Sequence, residues 1–132
     1  MFKKYLFNFL LIILFLNSIS YSFAIFDNYA NSDDYKNGTD FYIAHKGDFT
    51  FSLKSNPSTG YSWNYTITHG EASFINKEFS HKDMKISCVG VSGHDEFRFN
   101  FNDVGFVEIV FNYSRPWEDS IISKKKFILF VY

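Results

Sequence analysis

The residues that could support catalysis are few and poorly spaced. No two histidines form a His-x3-His pair, and the single cysteine has no Cys-x2-Cys partner, so the spacing predicts no metal site. Asp95 and Glu96 are adjacent, and adjacent side chains on a strand point to opposite faces, which prevents their use as an acid–base pair. Ser58-Thr59-Gly60 lacks the Gly-x-Ser-x-Gly pattern of a hydrolase nucleophile. The sequence therefore predicts neither an enzyme nor a cofactor. The four histidines are His45, His69, His81 and His94.

The composition indicates one folded domain. Of 132 residues, 46% are apolar and 22% aromatic, which excludes an intrinsically disordered chain. The formal net charge is −1, so there is no basic field for phosphate backbones and nucleic acid is not an expected partner. Cys88 is the only cysteine, which excludes an intramolecular disulfide. Its apolar neighbours Ile86 and Val89 favour a buried thiol.

Residues 1–24 have the pattern of a secretory signal peptide. Lys3 and Lys4 precede the apolar run Tyr5–Leu16, and Ser22-Phe23-Ala24 places small residues where a signal peptidase cleaves, after Ala24. The alternative is a membrane anchor, but spanning a bilayer takes about 20 apolar residues and this run is shorter. The mature chain, with 11 basic and 14 acidic residues, has a net charge of −3. We expect a monomer that is free of the membrane, either secreted or in the endosomal–lysosomal lumen.

Three sequons are compatible with passage through the secretory pathway. They begin at Asn37, Asn64 and Asn112, whereas Asn56 is followed by a proline that blocks glycosylation. An asparagine-rich chain also forms such triplets by chance, so the sequons alone do not establish the compartment.

The mature chain divides into a polar stretch and a domain rich in predicted strands. Residues 25–39 are acidic and polar and are predicted to form a loose N-terminal extension. Residues 40–132 form the predicted domain. There, Lys46-Gly47 separates the runs Phe41–His45 and Asp48–Leu53 in the manner of a hairpin turn.

Most runs of the domain alternate apolar and polar residues with a period of two. This period is typical of half-buried strands, and no run has the spacing of an amphipathic helix. Seven or eight short strands in about 90 residues predict an all-β sandwich of two sheets. The last run, Lys126–Tyr132, is almost wholly apolar, which suits a strand covered on both faces or lying beside a partner. The alternating runs are centred on Phe51, Trp63, Phe99 and Ile109.

Three loops stand out between these runs. In Asn56–Trp63, Pro57 fixes φ and Gly60 permits a positive φ, so Ser58 and Thr59 are expected at an exposed tip. Gly90-Val91-Ser92-Gly93 is a flexible turn after the run Met84–Val89. Arg115-Pro116-Trp117 ends a strand with a stiff proline and an aromatic residue that has no obvious place in the core.

These loops resemble the signature of the chagasin family of cysteine-peptidase inhibitors. That family has an N-P-T-T-G-[FY]-x-W loop, a G-x-G-G loop and an R-P-W loop, and here they occur in the same order over about residues 40–132. Two positions depart from the pattern: Ser58 replaces a threonine, and Ser92 replaces the first of two adjacent glycines, which strains the second loop if that residue has a positive φ.

The resemblance implies an immunoglobulin-like β-sandwich whose three loops lie together at one end. It also implies a papain-like peptidase as the partner, endogenous or foreign, with Ser58 and Thr59 in its active-site cleft. Arg115 either pairs with a peptidase carboxylate or braces its own loop, and Trp117 is the expected anchor. The alternative is a secreted adhesion or structural module without inhibitory activity. The implied peptidase-binding residues are Asn56, Pro57, Ser58, Thr59, Gly60, Tyr61, Gly90, Val91, Ser92, Gly93, Arg115, Pro116 and Trp117.

Overall fold

The computed structural model describes residues 28–81 and 92–132, and these residues form eight β-strands. One short 3-10 turn, Pro57–Thr59, joins two of the strands. The described residues contain no helix long and apolar enough to cross a bilayer. The strands are β1 (Tyr29–Ser32), β2 (Gly38–Ala44), β3 (Gly47–Ser55), β4 (Ser62–His69), β5 (Ser73–Ser80), β6 (Gly93–Phe101), β7 (Gly105–Ser114) and β8 (Ile121–Val131).

The strands form two four-stranded sheets that pack face to face. The first sheet has the order β1-β3-β6-β5 and the second has the order β2-β8-β7-β4. β1 pairs with β3 in parallel and β2 pairs with β8 in parallel, whereas the remaining pairs are antiparallel. The prediction of an all-β, immunoglobulin-like sandwich is therefore confirmed.

Aromatic rings from both sheets fill the core. The ring of Phe51 in the first sheet lies 5.3 Å from that of Phe111 and 5.0 Å from that of Phe127, both in the second sheet. Phe97 also meets Phe111 across the interface, at 5.0 Å. Burial of large rings supplies most of the hydrophobic stabilisation, and tilted or edge-on pairs add to it. The predicted alternation of β6 and β7 is confirmed because Phe97, Phe99, Phe101, Val107, Ile109, Phe111 and Tyr113 are all buried.

Two predictions about the start of the domain are wrong. Part of the supposed loose extension, Tyr29–Ser32, is β1, and its small residues Ala30 and Ser32 face the core at the edge of the first sheet. Lys46-Gly47 does not turn a hairpin, because β2 and β3 belong to different sheets. The backbone N–H of Lys46 instead donates to the carbonyl of Tyr132 at 3.0 Å, next to the parallel β2–β8 pair.

The outer face of β8 is more exposed than expected, and β5 is also largely exposed. The last strand has neighbours on both sides, but its outer face is not covered: Phe130 remains 40% exposed and lies 5.1 Å from the 60% exposed Phe106. β5 was not predicted, because it is an exposed edge strand without an alternating pattern. The predicted run Met84–Val89, with Cys88, lies outside the described residues.

Candidate functional site

The strand registers bring the first and third predicted loops, and Gly93 at the end of the second, to one end of the sandwich. Ser55, at the end of β3, pairs with Gly93 at the start of β6, so the first and second loops leave neighbouring strands. Ser62, at the start of β4, pairs with Ser114 at the end of β7, which places the first loop beside the third. We call Asn56–Tyr61 the tip loop, and the tip loop with its two neighbours the loop cluster.

The tip loop is held by its own polar atoms. The Asn56 side-chain oxygen accepts from the Ser58 hydroxyl at 2.6 Å and from the Ser58 backbone N–H at 3.3 Å. The Thr59 hydroxyl donates to the Asn56 carbonyl at 2.7 Å. Pro57 opens the 3-10 turn, where a missing N–H costs nothing. Residues 57–59 are exposed, so the loop offers a stiff, narrow tip of small side chains, as predicted from the sequence.

Gly60 ends the turn in the left-handed region, with φ +80°, where only glycine is unstrained. A Cβ on Gly60 would lie 2.6 Å from Cη2 of Trp117, so the indole of the third loop rests directly on the tip loop. Gly60 is thus required both for the turn and for the contact between the two loops.

Arg115 braces the loop cluster from within. Its Nε donates to the Thr59 carbonyl at 3.0 Å, and its Nη1 bonds the Glu118 carboxylate at 3.0 Å. The guanidinium also stacks over the Tyr61 ring, 4.1 Å from its centroid. Of the two roles left open by the sequence, the structure supports the brace. Glu118 lies three residues after Arg115 and holds its guanidinium in place. The sequence did not indicate this role of Glu118.

The two tryptophans have opposite environments. Trp63 is buried as predicted, and its indole N–H donates to the Lys54 carbonyl at 2.9 Å, which ties β3 to β4 below the tip loop. Trp117 is 71% exposed; its ring lies against Gly60, and the Arg115 guanidinium is 5.9 Å from the ring centroid. A large exposed aromatic on a braced loop is typical of an interface anchor.

The remaining predicted site residues are divided between surface and support. Pro116 belongs to the third loop, Ser92 is exposed, and Gly90 and Val91 lie outside the described residues. Gly93 is buried in β6, where a Cβ would meet the Ser80 carbonyl at 2.5 Å, so it supports the second loop rather than forming a contact surface.

Two tyrosines lie below the tip loop: Tyr113 belongs to a predicted strand, whereas the sequence did not indicate its bond to the tip loop or the place of Tyr35. The Tyr113 hydroxyl accepts from the backbone N–H of Asn56 at 3.1 Å, which fixes the start of the tip loop. Tyr35 stacks on Tyr113 with ring centroids 5.1 Å apart. Burial, together with the neighbouring Tyr113, raises the pKa of Tyr35, so its phenol stays neutral.

Several charged side chains of the described residues form ion pairs. Asp95 is buried and lies 3.3 Å from the Lys77 ammonium, on the face opposite to that of Glu96. His94 meets Asp33 at 2.8 Å, and this hydrogen bond is the main reason that the pKa of Asp33 is lowered. Within residues 28–81 and 92–132, no three side chains of metal-ligating type lie together.

A sandwich with a stiff tip, a braced flanking loop and an exposed tryptophan at one end is typical of a protein-binding module. The family model described as "chagasin family peptidase inhibitor I42" matches residues 43–131, and the chain belongs to this family. Family members are peptidase inhibitors rather than enzymes. A comparison of the sequence with curated proteins found no significant match.

Three solved structures share the fold of this chain. The chain is similar to the cysteine protease inhibitor EhICP2 from Entamoeba histolytica, with 20% identity and a TM-score of 0.63 over 79% of this chain and 94% of that one. It is also similar to Amebosin, with 23% identity and a TM-score of 0.55 over 79% and 96% of the chains. A structure of PbICP-C in complex with falcipain-2 matches with 16% identity and a TM-score of 0.50 over 80% and 98%.

Proposed function

We propose that this protein is a reversible, non-covalent inhibitor of papain-like cysteine peptidases. The observation that supports the proposal is the register of β3 with β6 and of β4 with β7, which brings Gly93 and the ends of the first and third family loops to one end of the sandwich. The family match supports the class of target, and the resemblance of the loops supports the way in which they bind.

The tip loop suits the active site of such a peptidase. A papain-like site has a thiolate–imidazolium pair at the bottom of a groove, which only a narrow segment can reach. Ser58 and Thr59 are small and exposed, and their hydroxyls are already bonded within the loop. Because the loop is preorganised, little conformational entropy is lost on binding. The tip blocks the groove without acylating the thiolate.

The two other loops bind the flanks of the groove. Trp117 has most of its ring free for the partner, while Arg115 keeps the third loop in register with the tip. Buried aromatic anchors commonly dominate the affinity of interfaces of about 1,600 Å².

The test is a titration of residues 25–132, which include every described strand, against papain with a fluorogenic substrate. We expect stoichiometric inhibition that is lost on dilution and absent for a trypsin-like serine peptidase. Thr59→Arg should abolish inhibition because its long side chain cannot enter the groove. Val104→Arg adds the same side chain at an exposed turn of the opposite end and should inhibit normally. A folded protein that leaves papain fully active at micromolar concentration would contradict the proposal for this target.

We also propose that the inhibitor acts in the secretory or endosomal–lysosomal lumen. The pattern of residues 1–24 supports this, and the test is N-terminal sequencing of the protein secreted from a eukaryotic host. A chain that begins at Ile25 is expected. A chain that stays in the membrane fraction with its N-terminus intact would contradict cleavage and support the anchor.

A further inference from the structure

The segment between β1 and β2 crosses the loop end of the sandwich. β1 runs parallel to β3 and ends beside Leu53, close to the tip loop, whereas β2 starts beside Lys125 near the start of β8. Asp33–Asn37, which we call the strap, therefore passes from the outer edge of the first sheet to that of the second. The strap precedes residue 43, where the family match begins.

Polar bonds fix the strap to both sheets. Asp33 bonds His94 in β6 at 2.8 Å, directly after the second loop. Asp34 bonds the ammonium of the buried Lys125 in β8. The Asn37 side-chain oxygen accepts from the backbone N–H of Lys124 at 2.7 Å. The strap is thus held in place at both ends.

Between these bonds, Tyr35 covers the residue that supports the tip loop. Its ring is nearly parallel to that of Tyr113, with an interplanar angle of 24°. Tyr113 also packs against Trp63 at 4.8 Å and Tyr61 at 5.5 Å, and its hydroxyl accepts from the N–H of Asn56. Tyr35 therefore packs on the ring whose hydroxyl fixes the start of the tip loop.

We propose that the strap, through the stacking of Tyr35 on Tyr113, is a positioning element that holds the tip loop in its inhibitory conformation. Tyr35 is a positioning residue because it acts on the tip loop through Tyr113. The inference rests on the proposed inhibitory function for its biological meaning, while the effect on the tip loop can be measured without a peptidase.

The test compares Tyr35→Ala with two matched variants. Tyr42→Ala removes a half-buried tyrosine at the other end, where its ring meets Phe49 and Phe127 at 6.2 and 6.0 Å. Tyr35→Phe keeps the stacked ring. Each variant is assayed for its inhibition constant against papain, its Tm and the hydrogen exchange of a peptide that covers residues 56–63.

We expect both alanine variants to lower Tm, but only Tyr35→Ala to speed exchange in the tip loop. Tyr35→Ala should also weaken inhibition by about tenfold, mainly through faster dissociation. Tyr35→Phe loses the side-chain hydrogen bond to Tyr113 but keeps the stacked ring, so both properties should stay close to those of wild type. Equal exchange in Tyr35→Ala and Tyr42→Ala would overturn the inference, and would leave the inhibitory function standing if wild type inhibits. If wild type fails to inhibit, the exchange measurement still decides the role of the strap.

Discussion

The indole of Trp117 lies on the α-carbon of Gly60, so close that a Cβ there would come within 2.6 Å of the ring. This contact joins the third loop to the tip loop at Gly60, whose φ of +80° favours glycine as well. The two loops are therefore coupled, and a change in either one should alter the surface offered to a peptidase.

Gly60→Ala should damage inhibition more than stability. The new methyl group strains the backbone and displaces Trp117, at a cost of about 1–3 kcal/mol in the free energy of unfolding. Inhibition should fall further because two contact elements move at once. Gly38→Ala is the matched control, since no atom lies within 4 Å of its added Cβ. The test measures the inhibition constant and the urea unfolding of both variants. Full inhibition by Gly60→Ala would show that the contact between Gly60 and Trp117 is dispensable.

Trp117→Ala should weaken papain inhibition by more than about 1 kcal/mol, which is at least about fivefold in the inhibition constant. The fold should be unaffected because the side chain is mostly exposed. Phe106→Ala removes another exposed aromatic residue at the opposite end and should leave inhibition unchanged. The assignment of Trp117 as anchor is refuted if both variants inhibit like wild type.

Arg115→Lys should also weaken inhibition, by about 1–2 kcal/mol, although the charge is kept. A lysine has no fork of donors with which to bond both the Thr59 carbonyl and Glu118. Arg98→Lys is the control, because Arg98 pairs with Asp48 on an outer strand face. The measurement is the inhibition constant of each variant against papain. Equal constants for the two variants would show that the hydrogen bonds of Arg115 do not contribute to inhibition.

The protein should tolerate mild acid and lose stability below about pH 4, the ordinary pKa range of carboxyl groups. A hydrogen bond from Asn100, helped by Arg98, lowers the pKa of Asp48, and one from Thr68, helped by Lys126, lowers that of Glu108. A carboxylate whose pKa is lowered by folding stabilises the protein above its unfolded pKa, and this contribution is lost as the pH falls towards the folded value.

Urea unfolding between pH 7 and pH 3 tests this expectation. Asp48→Asn cannot titrate at that position, so its free energy of unfolding should fall less between pH 5 and pH 3 than that of wild type. Parallel curves for the two proteins would mean that Asp48 contributes nothing to acid sensitivity.

Among the sequons, Asn64 should carry a glycan and Asn112 should not. The two asparagines are cross-strand partners, but Asn64 is exposed on the edge strand β4, whereas Asn112 lies on the inner strand β7 with its side-chain oxygen buried. Mass spectrometry of the protein secreted from a eukaryotic host should detect the modification at Asn64 and lose it in Asn64→Gln. A folded protein with a glycan on Asn112 would contradict this reading of the sheet.

Local chemistry made much of the fold and site predictable. The period of two in β6 and β7 requires only that one face be buried, and this pattern is visible within each run. Pro57 and Gly60 determine the shape of the tip loop through their own backbone preferences. The exposure of Trp117 could be foreseen because the strand before it already filled the core.

The pairing of strands that are distant along the chain could not be predicted from the sequence. Polar composition concealed β1 and the strap, whose places depend on partners in β3, β6 and β8. The short link at Gly47 suggested a hairpin, but β2 pairs with the distant β8 instead. The role of Arg115 likewise depends on Thr59, which lies 56 residues away along the chain and accepts its hydrogen bond. The sequence by itself determined a two-sheet sandwich with a stiff, small-residue tip, because these properties depend on neighbours along the chain. Only the tertiary structure decided how the strap and the third loop hold that tip, because those contacts form only when distant strands pair.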